Sequence, residues 1–316
     1  MILNIFLLVL GFILLIKGAD IFIDGASSTA ANLKIPKIII GISVVAFGTS
    51  APELAISMKA IASNNADIVF GNLIGSNIIN VSLILGIAAL IKPIHIKSNT
   101  IKNDLPFCLL ISTVFIILLL DNNISNSASN SLTRSDAFII LSFFGVFIYY
   151  LIKLISNSDV KERAKPKYKL YKSILFFCIG LAGIIIGSDL VVNNATSIAK
   201  IIGISDRIIS LTIIAIGTSL PELITVITSS LKGEQDLLLG NIIGSNIFNI
   251  CVVLGIPVAI FGNLMYTNFK LIDITTLLGS SLILLIFAWT QKKITRIEGL
   301  LLIILFATYY TLIFLT

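Results

Sequence analysis

The sequence predicts an all-α integral membrane protein: ten transmembrane helices in two inverted five-helix repeats, with helices 2, 3, 7 and 8 broken. Composition, recurring apolar runs and an internal duplication predict it. Hydrophobic residues make up 57% of the 316 and charged residues only 12%, with a mean hydropathy of +1.06. A soluble domain carries about 25% charged residues, so a water-soluble fold is excluded. Apolar runs of about 20 residues recur along the chain, each able to cross a hydrocarbon core of about 30 Å. The segment from Gly41 to Ile87 aligns without a gap to Ser210 to Ile256, with about 19 of 47 positions identical. The same offset carries Gly18 and Asp20 onto Gly187 and Asp189, which extends the match to the first helix of each half.

Taken in order, the spans are expected at 2–23, 36–62, 67–91, 104–120 and 136–153, then 171–192, 205–231, 235–261, 270–289 and 297–315. Each repeat therefore holds five helices. Five is odd, so the second half enters the bilayer from the opposite face, as in transporters that present one midplane site alternately to either side. The repeats occupy 1–153 and 171–316, and the basic stretch 154–170, which contains Pro166, is read as a cytoplasmic linker. The N-terminal run lacks a basic leader and no soluble domain follows it, so it is read as a retained first helix.

The formal charge of +6 would suggest nucleic acid or an anionic surface in a soluble protein, but here the basic residues gather in loops between apolar runs. One set of loops holds most of them, among them Lys34, Lys37, Lys92, Lys97, Lys165, Lys167, Lys232, Lys292 and Arg296. By the positive-inside rule that set is cytoplasmic, which places both termini outside a cytoplasmic membrane. Cys108, Cys178 and Cys251 fall singly in apolar stretches without CxxC spacing, so neither a disulfide nor a zinc site is expected. Lys17 and Asp20 in the first helix have i, i+3 spacing and are read as a pair.

The second helix of each half carries GTSAPE (Gly48 to Glu53) or GTSLPE (Gly217 to Glu222) within apolar sequence. Proline lacks an amide donor and clashes with the carbonyl four residues back, so Pro52 and Pro221 should break the helix near Gly48 and Gly217. The freed carbonyls are hard-cation ligands. Ala46, Thr49, Ser50 and Glu53 recur at i, i+3, i+4 and i+7, and Ala215, Thr218, Ser219 and Glu222 repeat the stripe. A glutamate in mid-membrane costs about 2.5–3.5 kcal/mol on insertion scales and normally faces a partner or a watery cavity. One such residue could be a protonated structural glutamate at a proline kink; two at matching positions point to function.

The third helix of each half carries GNLIGSNIIN (Gly71 to Asn80) or GNIIGSNIFN (Gly240 to Asn249). Asn72, Ser76 and Asn80 lie four apart on one face, as do Asn241, Ser245 and Asn249. Of these, Ser76, Ser245, Asn80 and Asn249 are the expected direct or near-direct ligands. Small residues and interhelical amide bonds are also common glue in membrane bundles, which is the plainer explanation for the glycines and for Asn77 and Asn246, off the stripe. Two carboxylates among hydroxyl, amide and carbonyl oxygens, without thiolate or imidazole, suit a hard cation. Calcium accepts six to eight such oxygens and sodium competes for the same kind of site, whereas zinc or copper would call for His or Cys. The single histidine, His95, is expected in a loop.

These paired GTSxPE and GSNIxN strings resemble the alpha repeats of the cation/calcium antiporter superfamily, most closely its prokaryotic sodium/calcium exchangers, over nearly the whole chain. The resemblance implies the ten-helix fold, outside termini, and exchange of sodium for calcium with no cofactor and a monomer sufficient. It implies Glu53 and Glu222 as shared carboxylate ligands of calcium and sodium ions, with Thr49, Thr218, Ser50, Ser219, Ala46, Ala215, Ser76 and Ser245 adding hydroxyl or carbonyl contacts. Asn80 matches the amide of the first repeat. Some relatives, including potassium-dependent ones, place Asp where this chain has Asn249, which removes a charge and leans against potassium co-transport. The proton-coupled branch departs from GSNIxN and stands second. An intramembrane hydrolase is disfavoured because no histidine or lysine base lies in these motifs. A channel is disfavoured because inverted duplication with broken helices serves alternating access.

Overall fold

The computed structural model describes residues 1–62, 66–125, 131–156, 166–203, 215–265 and 271–315. Nearly all of them are helical. Among the described residues, eight helices are long and apolar enough to cross a membrane, or nine if the bent pair Lys37–Thr49 and Ala51–Ala62 is one span. The expected seventh span begins outside the described residues, as do 157–165 of the expected linker.

The chain divides into two compact units, the first comprising Met1–Thr49 and Asn157–Asn241. Its main elements are α1 (Ile2–Leu33), α2 (Lys37–Thr49), α8 (Leu170–Ile201), α9 (Ala215–Thr218) and α10 (Leu220–Lys232). At 32 residues each, α1 and α8 outrun the expected spans by about ten residues, because the small and polar residues after Asp20 and Asp189 continue the helix beyond the apolar run. They pack along their lengths through glycine: a Cβ on Gly18 would meet the Ile184 amide nitrogen at 2.9 Å and the Gly180 carbonyl at 3.0 Å. Gly11 and Gly187 approach one another in the same way. Leu15, Ala19, Phe22, Ile23, Ala26 and Ile184 form the surrounding apolar core.

The end of α1 is held by charge. Lys232, closing α10, reaches Asp20 at 2.8 Å and Asp24 at 2.6 Å, and Lys167 reaches Asp24 at 2.6 Å. The expected Lys17–Asp20 pair is thus replaced by a tertiary one: the α10 terminus lies beside α1 and supplies a cation at closer range. Lys37 binds Glu234 at 2.6 Å.

The second unit comprises Ser50–Ser156 and Ile242–Thr316. It contains α3 (Ala51–Ala62), α4 (Ala66–Ile79), α5 (Leu85–Ile91), α6 (Leu105–Ser125) and α7 (Arg134–Ser156). The end of α11 (Gln235–Phe248), which crosses the unit boundary, is followed by α12 (Gly255–Phe261), α13 (Leu271–Gln291) and α14 (Arg296–Leu315). The expected third and eighth helices are not broken. Ile68–Ile91 and Gln235–Phe261 each run as one span, widened by π-helical turns at Asn80–Ile84 and Asn249–Leu254. No proline interrupts the first, and in the second Pro257 lies in the first turn of α12, where the π turn ahead of it absorbs the missing amide.

Contacts in this unit are reciprocal under the duplication. α5 packs on α14 as α12 packs on α7. The Arg134 guanidinium donates to the Ile260 carbonyl at 3.2 Å and that of Arg296 to the Ile91 carbonyl at 3.5 Å. Thr133 with Asp136 and Thr295 with Glu298 form matching N-terminal capping boxes on α7 and α14. Strand β1 (Ile94–His95) pairs with β4 (Lys293–Ile294), and β2 (Ser131–Leu132) with β3 (Leu264–Met265). His95, expected in a loop, is therefore in a short strand opposite Lys293.

Candidate cation-binding site

The proline motifs break their helices two residues later than expected. The interruptions fall at Ser50 and Ser219, and α3 and α10 begin at the following residue. The reason is positional: proline is tolerated in a first helical turn, where its missing N–H would have no intrahelical partner, so the helix restarts just ahead of it. The Ser50 carbonyl accepts from the Leu54 amide at 3.2 Å and the Ser219 carbonyl from Leu223 at 2.9 Å. Glu53 and Glu222 thereby fall in the first turns of α3 and α10, at the positive end of each helix dipole. Both are buried, at 1% and 2% exposure.

In the first unit, the segment Ala46–Thr49 packs against α10, the helix of Glu222. Thr49 is fully buried; its hydroxyl donates to Asn241 Oδ1 at 3.0 Å and lies 3.3 Å from the Ala46 carbonyl. Pro221 leaves the Gly217 carbonyl without its helical amide, and the Ser188 hydroxyl donates to that oxygen at 3.2 Å. Sequence spacing did not single out Ser188, although a hydroxyl directly after Gly187 at the end of an apolar run is a polar signal. Thr218 directly precedes the break at Ser219; the side chain of Ala215 lies outside the described residues.

In the second unit, α3, α4 and the π turn Asn249–Leu254 pack against one another. This gathers the helices that carry Ser50, Glu53, Ser76, Asn80 and Asn249, and the last turn of α11 adds Ser245. All six are buried. Asn72 donates to the Glu53 backbone carbonyl at 3.4 Å. Asn80 and Asn249 open the two π turns. The Asn80 amide nitrogen donates to Asn246 Oδ1 and that of Asn249 to Asn77 Oδ1, both at 3.0 Å. Asn77 and Asn246 are themselves tied, each donating to the other's backbone carbonyl at 3.4 Å. The carboxamide oxygens of Asn80 and Asn249 and the Ser76 hydroxyl are buried without a hydrogen-bond partner among the described residues. Sequence spacing marked Asn77 and Asn246 as off the ligand stripe; it did not show that they hold the residues on it.

The donors in both units are carboxylate, hydroxyl, amide and carbonyl oxygens. No cluster of three or more His, Cys, Asp or Glu side chains occurs among the described residues. Such a donor set suits calcium or sodium and not a soft transition metal.

Comparison with known proteins agrees with this chemistry. The family model described as sodium/calcium exchanger protein matches residues 3–153 and 172–315. The chain is 32% identical to the sodium/calcium exchanger MaX1 of Methanosarcina acetivorans, over 98% of each chain. It is 36% identical to the inner membrane protein YrbG of Escherichia coli, over 90% of this chain and 89% of that one. A solved structure of the sodium-calcium exchanger NCX_Mj, soaked with 10 mM Na+ and zero Ca2+, superposes with a TM-score of 0.84 at 32% identity, covering 97% of each chain.

Proposed function

Because the chain belongs to the sodium/calcium exchanger family, we propose that this multi-pass membrane protein is a secondary active antiporter that exchanges sodium for calcium across the cytoplasmic membrane by alternating access. The observation that carries the reading is the twinned environment of Glu53 and Glu222: each is buried in the first turn of a helix that restarts just after a serine. Two carboxylates balance one calcium ion, and sodium ions compete for the same hard oxygens. In this reading the ligands are Glu53, Glu222, Thr49, Thr218, Ser50, Ser219, Ala46, Ala215, Ser76, Ser245, Asn80 and Asn249, the alanines through their carbonyls.

The same reading takes the chain as ten membrane helices in two inverted repeats, 1–153 and 171–316, joined by the linker 154–170. The reciprocal contacts of α5 with α14 and α12 with α7, and the mirrored asparagine bonds, support a two-fold relation between the halves. The basic loops lie on the cytoplasmic side and both termini outside. A monomer suffices. Calcium or sodium neutralises the carboxylates, and only a neutralised site passes through occlusion at low desolvation cost while α1 and α8 shift.

The test is radiolabelled calcium uptake into sodium-loaded proteoliposomes, with the bath switched among sodium, potassium and choline and a proton gradient imposed separately. Uptake that requires the outward sodium gradient establishes the exchanger. Uptake driven only by protons assigns the chain to proton-coupled antiport.

A further inference from the structure

The four asparagines Asn77, Asn80, Asn246 and Asn249 form a linked amide quartet within the second unit, each at most 2% exposed. Its polarity is dictated by the backbone. Asn77 Nδ2 donates to the Asn246 main-chain carbonyl, and a carbonyl can only accept. Asn77 Oδ1 must then face Asn249, which presents its Nδ2. Asn249 Oδ1 is consequently turned the other way and has no hydrogen-bond partner among the described residues. The mirrored sequence, from Asn246 Nδ2 to the Asn77 carbonyl and from Asn80 Nδ2 to Asn246 Oδ1, turns Asn80 Oδ1 outward in the same manner. An unrestrained carboxamide could rotate by half a turn and offer an ion its N–H groups, which repel a cation. The quartet forbids that rotation at both positions.

We propose that Asn77 and Asn246 are positioning residues that hold the carboxamides of Asn80 and Asn249 oxygen-outward as ligands for the transported ions. The inference rests on the cation-site reading above. It also explains why position 249 works here as an amide: an aspartate there would set a carboxylate oxygen against Asn77 Oδ1 unless it carried a proton. The quartet thus keeps the site's formal charge at that of the two glutamates.

The experiment measures calcium transport in proteoliposomes and calcium binding by titration calorimetry on the full chain in detergent, for Asn77→Ala, Asn246→Ala and Asn77→Asp. Losing an outer residue that orients a metal ligand typically weakens affinity about 10–100-fold. Both alanine variants are therefore expected to raise the calcium KM and Kd by that factor, with kcat at saturating calcium little changed. Asn77→Asp provides the second arm. Its protonated form is isosteric with asparagine, donates to the Asn246 carbonyl and accepts from Asn249, whereas its ionised form repels that carbonyl. The ratio of its KM to that of the parent should fall as pH is lowered, while the ratio for Asn77→Ala stays flat. A parental KM and Kd in Asn77→Ala and Asn246→Ala, or a loss confined to kcat with KM and Kd unchanged, overturns the proposal. Glu222→Gln in the same assays separates the two readings: calcium binding that survives it removes the cation site itself, whereas its loss beside parental binding in Asn77→Ala removes only the positioning role.

Discussion

The Ser188 hydroxyl donates to the Gly217 carbonyl, the oxygen deprived of its helical amide by Pro221, at 3.2 Å. The matching position in the first half is Ala19, fully buried and apolar, so the two proline breaks are not supported alike. Ser188→Ala removes a hydrogen bond worth about 0.5–1.5 kcal/mol. The melting temperature in detergent should fall accordingly, while Ala19→Gly, which touches no such bond, should leave the second-half break unaffected. An unchanged Tm in Ser188→Ala would show that water or lipid replaces the hydroxyl at no cost.

Glu53→Gln and Glu222→Gln should each abolish calcium transport and yet raise thermal stability in ion-free buffer, because a buried carboxylate costs about 2.5–3.5 kcal/mol to place in a membrane. The parent should gain stability on adding calcium, about 2.7 kcal/mol at a hundredfold excess over Kd. The glutamine variants should lose that response. Calcium-dependent melting curves check both signs together.

Lys232 satisfies Asp20 and Asp24 together. These groups are only partly buried, so the contribution is modest, and a double-mutant cycle between Lys232→Ala and Asp24→Asn should return a coupling of about 1 kcal/mol that shrinks in high salt. A coupling of zero would mean that Lys167, the other cation on Asp24, carries the interaction alone.

Gly18→Ala should be far more damaging than Gly71→Ala. At Gly18 the new methyl would lie 2.9 Å from a backbone nitrogen of α8, whereas at Gly71 no atom of the described residues stands within 4 Å. Overpacking of this kind typically costs about 1–3 kcal/mol. Monodisperse yield and Tm in detergent distinguish the two.

Much of this was legible in the sequence because lipid forces regularity. Without water to satisfy the backbone, apolar stretches must be helices, and the duplication placed Glu53 and Glu222 in matching surroundings before any coordinates. The shift of each break from glycine to serine was not legible from proline's clash alone; it depends on where the next helix can begin. The π turns at Asn80 and Asn249 replace the expected breaks and leave almost no mark in sequence, since one extra residue per turn does not disturb an apolar pattern. Lys17 beside Asp20 shows the limit of local spacing: the cation that Asp20 meets is Lys232, over two hundred residues away. The quartet was hidden for a similar reason. Only the crossing of two helices reveals that Asn77 faces Asn249, and no spacing within one motif contains that fact.

The glycine contacts of α1 with α8 have a mechanical meaning. Side chains that interlock act as gear teeth, which let one helix roll or click past another by a notch. Where backbone rests on backbone, as at Gly18 and Gly180 or Gly11 and Gly187, there are no teeth and no spare clearance. The two helices, each about 48 Å long at the standard rise, are welded into a single beam, and a push at one end is delivered at the other without slack.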